Sequence, residues 1–126
     1  SNVLVHSYQC WSICAIGPVT SGPYLQISKG FQHICGLMVM GEVECWGRES
    51  EGQGGYREGP YSQVSAGYFH NCAIYAEGGF EAAGDIDCWG FNSSGQAFGI
   101  EGPFVQVSAG NSHTCALNIY GGVECW

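Results

Sequence analysis

One pattern is written three times in this chain. Gly22-Pro23-Tyr24-Leu25-Gln26-Ile27-Ser28-Lys29-Gly30 is matched by Gly59-Pro60-Tyr61-Ser62-Gln63-Val64-Ser65-Ala66-Gly67 and again by Gly102-Pro103-Phe104-Val105-Gln106-Val107-Ser108-Ala109-Gly110. A histidine follows each stretch at the same offset (His33, His70, His113), with a cysteine two residues later (Cys35, Cys72, Cys115). Each copy closes on an acid, a cysteine and a tryptophan: Glu44-Cys45-Trp46, Asp87-Cys88-Trp89 and Glu124-Cys125-Trp126. The histidines step by 37 and then 43 residues, and a period in that range belongs to solenoids, propellers or arrays.

Inside a copy the residues from Tyr24 to Ser28 alternate, which predicts a strand with Leu25 and Ile27 (Val105 and Val107 in the last copy) on a packed face; Ser62 interrupts that face in the middle copy. A second strand is expected over His33–Leu37, His70–Tyr75 and His113–Asn118, and a third over Val43–Trp46, Ile86–Trp89 and Val123–Trp126. Gly41, Gly78-Gly79 and Gly121-Gly122 supply the turns between them. The six extra residues of the middle copy fall in Ala76–Gly84, where an exposed hairpin tip accommodates an insertion most cheaply. Three antiparallel strands, with a Gly-rich linker that adds a fourth, describe one blade of a β-propeller. A single such sheet cannot cover both of its faces, so neighbouring blades must cover each other.

The expected organisation is one repeat domain over residues 1–126: a partial blade and linker in 1–21, then copies in 22–58, 59–101 and 102–126. Ser7-Tyr8-Gln9-Cys10-Trp11 resembles the Cys-Trp end of the later copies, so Trp11 stands at the same phase as Trp126. Composition excludes several classes. With 11 acids against three bases (Lys29, Arg48, Arg57), the surface repels phosphates, so nucleic acid is not expected as a partner. No apolar run is long enough to insert in a membrane, and the first residues lack the basic start and apolar core of a signal peptide.

Eight cysteines in 126 residues favour disulfides in an oxidising, extracellular setting. Cys35 with Cys45, Cys72 with Cys88 and Cys115 with Cys125 would each staple the second strand of a blade to the third, since cross-strand neighbours lie near the separation a disulfide requires. Cys10 and Cys14 are left to pair with each other, or Cys10 reaches a strand of a neighbour. Reduced, buried thiols are the alternative.

The pattern Val-Ser-Ala-Gly-x-x-His-x-Cys-Ala-Leu, then Gly-x-Val-x-Cys-Trp-Gly, then Gly-Gln resembles the regulator of chromosome condensation repeat. It is most similar to the cysteine-bearing extracellular forms of that repeat, including the crinkly-type receptor ectodomains of plants. The resemblance covers residues 22–126 and implies a propeller, usually of about seven blades in one chain. This sequence holds three full copies and a partial one, and its first linker lacks Gly-Gln. Functions in the family range from nucleotide exchange on a small GTPase to enzyme inhibition and receptor ectodomains, so the resemblance transfers fold and not activity.

Candidate site residues are few. The repeated histidines would meet as metal ligands only if they converged, and the spacing of a structural zinc site is absent; the expectation is that each orders its own turn by bonding backbone, with no metal and no cofactor. Glu44, Asp87 and Glu124 recur on the third strand as a solvated face or a cation-gathering surface. Trp11, Trp46, Trp89 and Trp126 are expected in packing between blades, with stacking on sugars as the alternative. Asn92-Ser93-Ser94 is a glycosylation sequon in an exposed linker.

No catalytic pairing emerges, and symmetric repetition supplies like residues where an active site needs unlike ones. The expected function is an extracellular, non-enzymatic structural or interaction protein. Its blades assemble head to tail with other copies, as a homo-oligomeric ring or a filament, because an uncovered blade face and sheet edge invite pairing. The alternative is a lectin-like or inhibitor-like segment of a longer propeller, with a carbohydrate or protein ligand.

Overall fold

A computed structural model describes residues 23–47, 54–92 and 95–126. Each copy folds as an antiparallel meander. The first blade contains β1 (Tyr24–Lys29), β2 (His33–Met38), β3 (Val43–Gly47) and β4 (Gly55–Arg57), hydrogen-bonded in that order. The second contains β5 (Tyr61–Ala66), β6 (His70–Tyr75) and β7 (Ile86–Gly90), and the third β8 (Phe104–Ala109), β9 (Thr114–Asn118) and β10 (Val123–Cys125). Among the described residues the fourth strand is formed fully only in the first blade. In the second it shrinks to a bridge between Ile86 and Ile100, the counterpart of the Val43–Arg57 pair.

The first strand departs from the expected alternation, and the cause is local. A register shift falls between Tyr24 and Gln26, between Tyr61 and Gln63, and between Phe104 and Gln106. The bulged residue of each pair is Leu25, Ser62 or Val105, turned away from the core, so Leu25 is 67% and Val105 51% exposed. Ser62 is therefore not an interruption of a packed face: its position is a solvent position in all three copies. The packed residue is the next apolar one. Val64 and Val107 are buried, whereas Ile27, which has no blade before it among the described residues, is half exposed.

Blades stack by covering each other's apolar faces, as the repeat requires. Cys35, Leu37, Val43 and Cys45 of the first blade pack against Tyr61, Val64, Ala66 and Trp89 of the second. Cys72, Ile74 and Ile86 of the second pack in the same way against Phe104, Val107 and Ala116 of the third. The first strands β1, β5 and β8 lie side by side, while β5 leans on β2 and β8 on β6.

Disulfides link Cys35 to Cys45, Cys72 to Cys88 and Cys115 to Cys125, with Cα separations of 4.1, 4.1 and 4.0 Å. Each pair is directly opposed across the second and third strands, in the closer kind of antiparallel pair. The loops they close hold 10, 16 and 10 residues of separation, so each stabilises by roughly 3 kcal/mol in the chain-entropy model. Cys10, Cys14 and Trp11 lie outside the described residues.

Candidate interaction surfaces

The joint between blades is built from the residues that the repeat copies most faithfully. The Gln26 carboxamide oxygen accepts the Val64 N–H at 3.1 Å and the Ser28 hydroxyl accepts the Ala66 N–H at 2.9 Å. One blade on, Gln63 takes the Val107 N–H at 2.7 Å and Ser65 the Ala109 N–H at 2.9 Å. These N–H groups lie on the free edge of a first strand, so side chains of the previous blade satisfy an edge that would otherwise invite another strand.

Two backbone bonds accompany them at each joint. The Tyr61 N–H donates to the Gly41 carbonyl and the Phe31 N–H to the Gly67 carbonyl, at 2.8 and 3.2 Å; Phe104 to Gly84 and Tyr68 to Gly110 repeat them at 2.9 and 3.1 Å.

The histidines complete the joint. His33 Nε2 lies 2.6 Å from Asn71 Oδ1, and His70 Nε2 lies 2.8 Å from Thr114 Oγ1. Since the Thr114 hydroxyl donates its proton to the Gln96 carbonyl at 2.7 Å, its oxygen must accept from His70, which fixes the neutral tautomer with the proton on Nε2. Nδ1 of both rings is buried without a partner. Burial therefore holds His70 down to about 4, with the neighbouring histidines adding to the effect, and burial also lowers His33.

The expected role of the ring, ordering its own turn, is thus corrected. The turn is closed by the histidine carbonyl, which accepts the Gly30, Gly67 or Gly110 N–H, while the ring reaches into the next blade. That reach explains the glycine: a Cβ on Gly67 would lie 2.7 Å from the His70 ring and 2.5 Å from the Gly110 carbonyl oxygen. Among the described residues no group of three or more His, Cys, Asp or Glu side chains is placed to hold a metal.

The other candidates take structural duties. Trp89 is buried at the first joint with the Arg57 guanidinium 4.4 Å above its ring, and Trp46 packs on Tyr24 and Ile34. Neither offers an open ring face, so sugar stacking on these two is excluded by burial. Trp126 is half-buried and donates its indole N–H to the Phe98 carbonyl at 2.7 Å. Glu44 accepts the Tyr24 hydroxyl at 3.1 Å; Asp87 accepts the Tyr61 hydroxyl at 2.6 Å and pairs with Arg57 at 3.1 Å. Those two carboxylates are structural acceptors and not an open cation surface. Asn92 is exposed, with its side-chain oxygen taking the Ala97 N–H at 2.8 Å.

Among the described residues the third blade presents the joint without a follower. Gln106, Ser108 and His113 are exposed, and they stand where Gln63, Ser65 and His70 engage the next blade. Val123 is 65% exposed where Val43 and Ile86 are 0% and 4%. A shallow hollow of about 140 Å³ between Gln106, Ser108, Cys115, Leu117 and Val123 marks the place a following blade would fill.

Residues 61–96 match the regulator of chromosome condensation (RCC1) repeat. No curated protein matches the chain by sequence. Among solved structures, the CRINKLY WD40 ectodomain of the Arabidopsis thaliana receptor kinase ACR4 superposes with a TM-score of 0.67 at 26% identity, over 88% of this chain and 38% of that one. The entire ectodomain of the Physcomitrella patens receptor kinase CR4 gives 0.68 at 29% identity, over 82% and 29%. Yeast RCC1 (Prp20), solved with Kap60, shares the fold at 17% identity with a TM-score of 0.63, over 87% and 33%. The chain thus spans less than two fifths of each of these structures. With the thrice-written motif, the meander blades and the repeated joint, the chain folds as disulfide-stapled β-propeller blades that resemble regulator of chromosome condensation-type repeats and are similar to those of the crinkly receptor ectodomains.

Proposed function

We propose that the chain is an extracellular, non-enzymatic interaction domain whose blades join head to tail with those of another copy, forming a ring or a filament. The observation that carries this reading is the open face of the third blade. It holds every acceptor and donor of the joint in place: the Gly121 carbonyl, Gln106, Ser108, the Asn111 N–H and His113. The edge of β1 that no other described strand pairs offers the complements, the N–H groups of Ile27 and Lys29 and the Gly30 carbonyl, because they correspond in register to Val64, Ala66 and Gly67. One element differs: Ile34 stands where Asn71 and Thr114 receive the histidine. A joint between copies lacks that bond and is weaker than the internal ones. Three disulfides and a weakly charged surface support an oxidising location.

Sedimentation over a wide concentration range, with imaging of the native particle, tests the assembly. Val123→Arg places an unpaired charge on the apolar face and should lower the assembled fraction at least roughly tenfold. A wild-type chain that stays a monodisperse monomer at every concentration sinks the reading.

A second reading is favoured by the length of the crinkly ectodomains: the chain is a segment of a longer ligand-binding propeller, and later blades of the same polypeptide cover the third. Further copies of the motif in the encoded precursor would decide for it.

A further inference from the structure

The two ends of the blades differ in chemistry. At the end carrying the β2–β3 and β6–β7 hairpin tips lie Glu42, Glu58, Glu77, Glu81, Asp85 and Glu101. At the opposite end, where the histidine turns lie, no carboxylate occurs among the described residues, and Lys29 supplies a cation; Arg48, Glu49 and Glu51 fall outside those residues. The same end exposes aromatic rings. Phe31 of the first blade stacks on Tyr68 of the second at 4.8 Å with planes 7° apart, and both are nearly half exposed. Phe69 stands edge-on to both, and its carbonyl takes the Phe91 N–H at 2.9 Å, so the rings are held on tied turns. Beside them Gly30, Gly67 and Gly110, which carry no side chains, leave a cleft of about 340 Å³ with Lys29 at its rim.

The six-residue insertion of the middle copy supplies what this cleft lacks. The Ala76–Gly84 tip is tied at its base by the Gly84 N–H to the Tyr75 carbonyl at 2.9 Å, and carries Phe80, fully exposed, between Glu77 and Glu81. An isolated exposed phenyl flanked by carboxylates complements an aromatic cleft with an ammonium at its edge. The tip cannot reach the cleft of its own chain. β6 separates Tyr68 from the tip by six extended residues, about 20 Å.

We propose that the Ala76–Gly84 tip of one copy docks through Phe80, Glu77 and Glu81 into the cleft formed by Phe31, Tyr68 and Lys29 of a second copy, stacking the acidic end of one on the aromatic end of the next. This contact is independent of the open blade face and does not rest on head-to-tail joining.

The test uses a capped peptide of residues 76–84 titrated into the whole chain carrying Val123→Arg, in which the blade face is closed to partners. Saturable binding that shifts the ring resonances of Phe31 and Tyr68 is expected. Phe80→Ser in the peptide should weaken it roughly tenfold or more, as should Tyr68→Ser in the chain. Lys29→Glu should weaken it too, and a peptide with both glutamates changed to lysine should regain affinity for that variant. In the same Val123→Arg background the chain should still associate at high concentration, and Phe80→Ser, at an exposed position, should abolish that association. A peptide that does not bind, one that binds Tyr68→Ser and Lys29→Glu chains equally well, or a Val123→Arg chain that is monomeric throughout overturns the proposal.

Discussion

His70 is the most consequential single residue of the joint, because its ring is wholly buried and has one partner for two nitrogens. Thr114→Val would leave the Nε2–H without an acceptor and should cost about 1–3 kcal/mol in urea unfolding. Protonation is penalised more strongly. The folded ring titrates at about 4 against 6.5 in the unfolded chain, so between those values the unfolded state binds more protons. The stability that the neutral ring contributes is complete above pH 6.5 and is lost as pH falls toward 4, a change of about 3 kcal/mol by linkage. Unfolding midpoints measured across this window should fall with pH, and His70→Gln should flatten the slope. His33 shifts in the same direction and adds to it. The sequence announced the histidines by their repetition, yet not what they touch. Their partners are Asn71 and Thr114, and Ile34 holds the corresponding place in the first blade; residues that differ between copies leave no repeat signal to read.

At the scale of elements, the strands, tips and cysteine pairs were legible because their causes are local: period-two alternation, glycine turns and paired spacing. The first-strand bulge was not, since Leu25 and Val105 are apolar and look like core, and only pairing with the second strand shows them displaced outward. The duty of Gln and Ser on that strand is hidden for a related reason. A polar residue facing water and one facing a neighbour's N–H are the same letter. Gln63→Leu with Ser65→Ala should therefore destabilise the isolated chain by about 1–3 kcal/mol, by stranding the Val107 and Ala109 N–H groups. The equivalent pair Gln106→Leu with Ser108→Ala should leave its stability unchanged within about 0.5 kcal/mol. Chemical denaturation of the two double variants makes the comparison.

Over the whole molecule, each blade depends on its neighbours, so stability should follow coverage. The second blade is packed on both sides, while every residue of β10 is exposed. Amide exchange should be slowest in β5 and β6 and fastest in β10, and slow exchange in β10 relative to β6 would contradict this reading. Assembly should reverse the order locally, protecting β10 when a following blade arrives.

The joint bonds also bear on how such a chain varies. Gln26 meets Val64 across 38 positions of sequence and Gln63 meets Val107 across 44, yet the two contacts are the same in kind. The difference is the six-residue insertion within Ala76–Gly84, of which the joint uses only the Gly84 carbonyl at the base. Tip length and joint geometry are therefore separate degrees of freedom. Such a lineage can lengthen, shorten or recharge one end of any blade and acquire a new surface there, while the hinge line between blades stays as it was.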